Sequence, residues 1–131
     1  MSEERTGSCL CGAVKFRLKG RARAVTHCHC AMCRRWHGHV GAYTNIERGG
    51  LEMIESRGLQ WYRSSDMARR GFCRECGSSL FWDGDKWDAI SVTAGSLDPP
   101  TGLSSALQIF TEDKGDYYAL DPNIPVRPKT T

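Results

Sequence analysis

The sequence contains no long hydrophobic run and none of several familiar catalytic motifs. No apolar stretch approaches the ~18 residues of a membrane-spanning helix, and the polar N-terminal segment MSEERTGS lacks the apolar core of a secretion signal. There is no G-x-S-x-G, no phosphate-binding glycine loop and no H-E-x-x-H. We therefore expect a cytoplasmic protein with no membrane partner.

Helical patterns are also scarce, and much of the chain alternates as β-strands do. Residues 13–18 read AVKFRL, with apolar side chains at every second position. Similar segments, bounded by glycine- and proline-containing turn signals, occur at 40–43, 51–56, 59–63, 79–82, 88–93 and 107–110. The best helix candidate is short and lies near 31–36. The sequence thus predicts a mainly β fold of small antiparallel sheets with little helix.

The length of 131 residues predicts one domain over 1–131, because domains commonly have about 100–150 residues. We expect its core to span about 7–120. The remaining residues, 121–131, read DPNIPVRPKTT and are expected to form an extended tail.

Seven cysteines are present, which is a high and odd number. A disulfide framework would leave one thiol over, and a reducing cytoplasm disfavours disulfides. Metal binding is the better interpretation. Seven thiolates on two divalent ions would cancel the formal net charge of +3. The basic balance is therefore weak support for a nucleic-acid partner, and we consider one unlikely.

Four cysteines occur as a C-x-C pair and a C-x-x-C pair, namely Cys9, Cys11, Cys73 and Cys76. On a strand, residues two apart place their side chains on one face. Cys73 and Cys76, followed by Gly77, fit a tight turn that converges two sulfurs. Together the pairs predict a closed structural zinc site. The alternative is four buried free cysteines.

The segment HCHCAMC, residues 27–33, holds the other three cysteines: Cys28, Cys30 and Cys33. Their sulfurs can reach one metal if the chain turns there from strand to helix. Three protein ligands and an open position are typical of catalytic zinc. The alternative is a second structural site that a histidine completes. The candidates are His27, His29, His37 and His39.

A histidine near a metal is more often a hydrogen-bond partner than a ligand. His29 lies between two cysteines and would point away from their metal on an extended segment. His27, His37 and His39 remain candidates for supporting the site and for acid–base chemistry. Three thiolates would leave a Zn²⁺ site with a charge near −1, so we expect the open position to take a thiol rather than to activate water.

Three segments carry a family resemblance: GSCLCGAVKF at 7–16, HCHCAMCRRW at 27–36 and GFCRECGSSLFW at 71–82. Together they resemble the glutathione-dependent formaldehyde-activating enzyme family, which includes centromere protein V, over roughly residues 7–120. The resemblance implies a β-tent fold of small antiparallel sheets around a structural zinc. According to the resemblance, the structural zinc is bound by four residues, Cys9, Cys11, Cys73 and Cys76. A second zinc is bound by Cys28, Cys30 and Cys33.

The resemblance also implies a carbon–sulfur lyase activity, in which glutathione and formaldehyde combine reversibly as S-hydroxymethylglutathione. The expected partner is a small-molecule thiol or thiol adduct. Family members often carry a histidine at the start of the late strand and a tryptophan soon after. This chain has Gln108 and Tyr117/Tyr118 there, a departure that bears on specificity for glutathione or formaldehyde.

Two other functions compete with the lyase. One is a non-catalytic zinc module that binds a protein or nucleic-acid partner, as the centromere relative suggests. The other is a carrier of glutathione or formaldehyde that gives no rate enhancement. Acceleration of S-hydroxymethylglutathione formation distinguishes an enzyme from both.

Overall fold

The computed structural model describes residues 3–130, which form ten β-strands, one α-helix and three short 3₁₀ turns. The strands are β1 (Glu4–Ser8), β2 (Lys15–Lys19), β3 (Val25–Cys28), β4 (Gly41–Glu47), β5 (Leu51–Glu55), β6 (Leu59–Ser65), β7 (Ala68–Cys73), β8 (Ser79–Gly84), β9 (Ala89–Thr93) and β10 (Ser105–Ile109). The helix, α1, spans Ala31–His37. The mainly β fold with small antiparallel sheets and little helix is thereby confirmed.

The chain divides into two compact units. The larger unit comprises the residues up to Arg23 together with Thr44–Gly102, and the smaller comprises Ala24–Tyr43 and the residues from Leu103 onward. Strand β4 begins in the smaller unit and ends in the larger. The single domain expected over residues 1–131 stays a prediction.

In the larger unit, β1, β2 and β5 form an antiparallel three-stranded sheet. Strand β2 alternates as its sequence indicates: Phe16 and Leu18 are fully buried, whereas Lys15 and Lys19 are exposed. Strands β9, β8, β7 and β6 follow one another in a second antiparallel arrangement. The Phe16 and Phe81 rings meet edge to face with centroids 5.2 Å apart, so the apolar side of β2 packs against β8.

In the smaller unit, β3 lies between β10 and the first residues of β4. Its pairing with β4 is antiparallel and its pairing with β10 is parallel. Two residues separate β3 from helix α1, which ends at His37 and is capped by Gly38. The φ of Gly38, 80°, is the left-handed conformation that glycine adopts without steric cost. This strand-to-helix turn carries the HCHCAMC segment.

All seven strand-like segments predicted from the sequence coincide with strands, with ends shifted by a few residues. The predicted helix is confirmed as α1. Strands β1, β3 and β7 were missed. Residues of the tail pair beside β10, because the Gln108 N–H donates to the Pro125 carbonyl and the Arg127 N–H donates to the Gln108 carbonyl. No helix in the described part of the chain is long and apolar enough to cross a membrane.

Candidate metal centres and candidate active site

The larger unit brings Cys9, Cys11, Cys73 and Cys76 together, with their sulfur atoms all within 4.8 Å of one another. The Cys9 and Cys11 sulfurs are 3.7 Å apart, and the Cys11 and Cys73 sulfurs are 3.8 Å apart. Cys9 and Cys11 do not lie on a strand, as the sequence argument assumed. They lie in the turn after β1, and the turn itself converges their side chains.

Hydrogen bonds from the surrounding chain hold these sulfurs in place. The Val14 N–H donates to the Cys9 sulfur over 3.2 Å. Gly77, at a φ of 83°, closes the C-x-x-C turn by donating its N–H to the Cys73 carbonyl. The Ser78 hydroxyl accepts the Leu10 N–H and hydrogen-bonds the Cys76 sulfur, each over 3.1 Å. The bond from Ser78 lowers the pKa of Cys76 to about 5.

These dimensions fit a tetrahedral zinc site. With Zn–S bonds of about 2.3 Å, the sulfurs of a regular tetrahedron would be about 3.8 Å apart. That is close to both measured separations. A backbone hydrogen bond at Ala13 lowers the pKa of Cys11, but burial and the neighbouring thiols outweigh it and raise the pKa to about 12. Four thiolates at this spacing therefore need a cation, and the cluster can bind a metal ion compatible with zinc.

The smaller unit brings Cys28, Cys30 and Cys33 together, again with all sulfurs within 4.8 Å. Cys28 ends β3, Cys30 is the N-cap of α1, and Cys33 lies in the first turn of the helix. The Cys28 thiol donates to the Cys30 sulfur over 3.4 Å, and the Cys33 N–H donates to the same sulfur over 3.3 Å. The turn from strand to helix that the sequence argument required is present.

Charge is unevenly distributed among these three thiols. Hydrogen bonds from the Cys28 and Cys33 side chains, helped by the N–H groups of Cys33 and Met32, lower the pKa of Cys30 to about 2. The same pairing, together with burial, raises the pKa of Cys28 far above its ordinary value. These hydrogen bonds thus favour negative charge at the Cys30 sulfur. The close spacing of the three sulfurs means that this cluster also can bind a metal ion compatible with zinc.

Within residues 3–130, no histidine, aspartate or glutamate ligand atom joins these three sulfurs within 4.8 Å of all of them. Each of the four histidines instead has a hydroxyl partner. The pairs are His27 Nε2 with Ser105 at 2.8 Å, His29 Nδ1 with Tyr118, His37 Nε2 with Tyr43 and His39 Nδ1 with Tyr117, the last three at 2.6 Å. The cluster thus has three sulfur donors where the larger unit has four.

The sheet register assigns these histidines to different sides. Cys28 lies directly opposite Gly41 on β4, so they share one face, whereas His27 lies opposite Ala42 and beside Gln108 on the other face. Burial lowers the pKa of His27 and that of His29, which is only 3% exposed. His37, on α1, packs against Gly41 and is therefore on the Cys28 side.

Gln108, Tyr117 and Tyr118 occupy the positions at which the sequence differs from the pattern that the resemblance implies. The Gln108 side chain is 2% exposed and donates to the carbonyls of Asp121 and Ile124, over 3.0 and 3.1 Å. It therefore fixes the tail. Tyr117 is 59% exposed, whereas Tyr118 is half-buried, with its ring 5.5 Å from that of His29.

Sequence reasoning missed Ser78, Gly58 and Tyr43. Ser78 lies two residues after Cys76, and this position close behind a ligand is the signal that could have identified it. Gly58 lies against Cys73, since an added Cβ would be 2.7 Å from that sulfur. Neither Gly58 nor Tyr43 has a local sequence signal, because each meets its partner only through the fold.

Comparisons with known proteins identify the family to which the chain is similar. The sequence model of the family described as glutathione-dependent formaldehyde-activating enzyme matches residues 4–113. An uncharacterised lyase of Schizosaccharomyces pombe is 31% identical over 117 residues, which cover 88% of this chain and 84% of that protein. A protein of Halomonas elongata, provisionally named as an enzyme of that description, is 25% identical, with 88% and 80% covered.

Similarity in fold is also found among solved structures. The crystal structure of a Rhodobacter sphaeroides protein superposes with a TM-score of 0.57 at 24% identity, covering 76% of this chain and 97% of that one. At this identity the likeness concerns the fold alone.

Proposed function

Because the chain belongs to the glutathione-dependent formaldehyde-activating enzyme family, we propose that it is a zinc-dependent carbon–sulfur lyase that joins glutathione and formaldehyde as S-hydroxymethylglutathione. A glutathione-related, lyase-type function holds at the level of the family. The observation that carries the proposal is the convergence of three sulfur donors, Cys28, Cys30 and Cys33, at the turn from β3 to α1.

The two clusters would have different tasks. Cys9, Cys11, Cys73 and Cys76 would hold a structural zinc, because four protein ligands close the site. Cys28, Cys30 and Cys33 would hold a second zinc, which when bound would supply an exchangeable position for a thiolate. A site of charge near −1 is a poor activator of water, which favours a thiol substrate over hydrolysis.

The reaction needs one bond to form and one proton to move. The glutathione sulfur, having lost its proton, attacks the carbonyl carbon and forms the C–S bond. The C=O π electrons move to the oxygen, which takes up a proton and becomes the hydroxyl of the product. The reverse reaction breaks the C–S bond and removes that proton. The protein must therefore orient the thiol, exclude competing water and transfer one proton.

Basic side chains near the cluster suit a substrate with carboxylates such as glutathione. Arg34 and Arg35 directly follow Cys33 on α1. The Nε atom of Arg34 is buried and has no hydrogen-bond partner in the described residues. An arginine in this position can bind a carboxylate through two parallel hydrogen bonds.

Exchange NMR on mixtures of glutathione and formaldehyde tests the proposal. We expect zinc-loaded protein to accelerate formation and breakdown of S-hydroxymethylglutathione in proportion to its concentration. Cys30→Ala should abolish the acceleration, whereas Leu10→Ala, which removes an 89% exposed side chain, should leave it unchanged.

Two results would contradict the proposed lyase function. Saturable glutathione binding without acceleration at any protein concentration would identify a carrier. A zinc-loaded protein that neither binds glutathione nor accelerates the reaction, but shifts a nucleic-acid probe at defined salt, would identify the non-catalytic module.

A further inference from the structure

One histidine–tyrosine pair lies on the same side of the sheet as Cys28. The His37 Nε2 atom and the Tyr43 hydroxyl oxygen are 2.6 Å apart, and their rings meet edge to face at 5.3 Å. His37 ends α1, four residues after Cys33, so the two side chains lie on the same face of the helix. Tyr43 is 6% exposed. The pair is therefore fixed on the Cys28 face of the sheet and the Cys33 face of the helix.

Gly41 makes the room for this arrangement. A Cβ added at Gly41 would lie 2.8 Å from Cδ2 and 3.0 Å from Nε2 of His37. Gly41 is also the direct cross-strand partner of Cys28, and Cβ atoms of such partners are about 4.5–5.5 Å apart. The imidazole thus occupies the space that a side chain opposite Cys28 would fill.

The geometry points to His37 as the group that transfers the reaction's proton, with Tyr43 positioning it; this inference rests on the proposed lyase function. In the synthetic direction, neutral His37 takes the proton of the glutathione thiol, and the resulting thiolate sulfur attacks formaldehyde. The resulting imidazolium gives the proton to the oxygen of the new hydroxymethyl group. No oxidant or second cofactor is needed, since the proton lost by sulfur is the proton gained by oxygen.

The other histidines are less suitable for this role. His27 lies on the opposite face of the sheet and bonds Ser105. His29 lies between β3 and α1, on neither element, and its partner Tyr118 is only half-buried. His39 lies on the surface, bonded to Tyr117, which is itself largely exposed. Only His37 combines the Cys28 face of the sheet, the Cys33 face of the helix and a buried hydroxyl partner.

Three variants test the inference by different means. His37→Gln keeps a hydrogen-bonding amide beside Tyr43 but cannot exchange a proton near neutral pH. Tyr43→Phe removes only the hydroxyl. Gly41→Ala keeps the His37 imidazole and the Tyr43 hydroxyl chemically intact, but its added Cβ crowds both rings and shifts the His37 ring. The matched controls are Tyr62→Phe and Gly49→Ala: Tyr62 is a largely exposed residue of the larger unit, and an added Cβ at Gly49 would meet nothing within 4 Å.

We expect His37→Gln to lower kcat by about 10²–10⁴-fold, the usual contribution of a positioned acid or base, with KM for glutathione nearly unchanged. Tyr43→Phe and Gly41→Ala should lower kcat by smaller factors, again without raising KM. Zinc content by native mass spectrometry should stay at the wild-type value in all three. The solvent deuterium isotope effect on the exchange should diminish in His37→Gln.

A readout without turnover is the NMR signal of the His37 ring. In the zinc-loaded wild type, we expect glutathione alone to shift that signal, and we expect no such shift in Gly41→Ala. A wild-type protein that accelerates exchange while His37→Gln retains its kcat and isotope effect would refute the role of His37 alone. A wild-type protein without acceleration would refute the lyase and His37's role together.

Discussion

Arg69 on β7 lies directly opposite Asp83 on β8, and its Nε atom donates to the Asp83 carboxylate over 2.9 Å. Arg48 approaches the other carboxylate oxygen over 2.6 Å. Burial alone would raise the pKa of Asp83, which is 7% exposed, but the bonds from Arg48 and Arg69 bring the pKa below its ordinary value. One buried carboxylate thus joins two strands to the turn that follows β4.

Asp83→Asn should lower the free energy of unfolding at pH 7 by about 1–3 kcal/mol, because hydrogen bonds to a buried charge are lost. Since the folded pKa of Asp83 lies below the unfolded one, its contribution is fully present above the unfolded pKa, near pH 4. It is lost as the pH falls through the folded pKa. Urea unfolding of both proteins from pH 7 to pH 3 should therefore show the difference shrinking.

The comparison between variants cancels any general acid destabilisation, including loss of metal. Asp85→Asn is a suitable control, because Asp85 pairs with Arg63 on the surface and exposed pairs contribute little. A difference between wild type and Asp83→Asn that stayed constant over this range would exclude the carboxylate charge as its cause.

Gly58→Ala should weaken the four-cysteine site although it replaces none of the four cysteines. An added Cβ would lie 2.7 Å from the Cys73 sulfur and 2.8 Å from the Ala13 Cβ, and overpacking of this kind costs about 1–3 kcal/mol. We expect a lower melting temperature and faster zinc loss to a chelator. Gly95→Ala is the control, because nothing lies within 4 Å of its added Cβ. Equal zinc-loss rates in the two variants would contradict the role of Gly58.

The alternation of apolar residues and the spacing of the cysteines were sufficient to predict several strands, the short helix and the local cysteine turns. Alternation predicted β2, since Phe16 and Leu18 face the core. Short spacings predicted that Cys9 meets Cys11 and that Cys73 meets Cys76, because C-x-C and C-x-x-C turns converge sulfurs; the meeting of the two pairs, 62 residues apart at Cys11 and Cys73, is a long-range relationship. The helix at 31–37 followed from the same segment, where Cys30 serves as its N-cap.

Long-range relationships could not be predicted in this way. His29 and Tyr118 are 89 residues apart, and His39 and Tyr117 are 78 apart. The parallel pairing of β3 with β10 likewise joins segments that are far apart in the sequence, residues 25–28 and 105–109. The alternation of apolar and polar residues did not predict strand β7, because the buried position 70 is occupied by an arginine, which is only 2% exposed. A charged residue at a core position masks the alternation on which strand prediction depends.

Gln108→Met should release the C-terminal tail while preserving side-chain length. The Gln108 amide donates to the carbonyls of Asp121 and Ile124, and their loss should cost about 1–3 kcal/mol because both carbonyls are left unpaired. Hydrogen exchange should accelerate at the Arg127 amide, which bonds the Gln108 carbonyl. Gln60→Met, on the exposed side of β6, is the control. Unchanged exchange at Arg127 would show that the backbone bonds alone hold the tail.

The metal content of cysteine variants tests the division of labour between the two clusters. We expect two zinc ions in the wild type by native mass spectrometry. Cys30→Ala should retain one zinc and the fold, because Cys28 and Cys33 alone hold zinc weakly. Cys73→Ala should instead be destabilised severely. The binding energy of a structural zinc, about 10–16 kcal/mol in small zinc domains, contributes directly to folding and is comparable to the whole stability of a typical domain, about 5–15 kcal/mol.

Two substitutions within the same turns serve as controls. Leu10→Ala changes the residue between Cys9 and Cys11, and Met32→Ala changes a residue between Cys30 and Cys33; both side chains are exposed. Each variant should keep two zinc ions and the wild-type melting temperature. If Cys30→Ala and Cys73→Ala both unfold the protein, the three-cysteine cluster is also structural. The proposal that a substrate thiol binds to the zinc at this cluster would then have no support, because a structural zinc does not exchange its ligands.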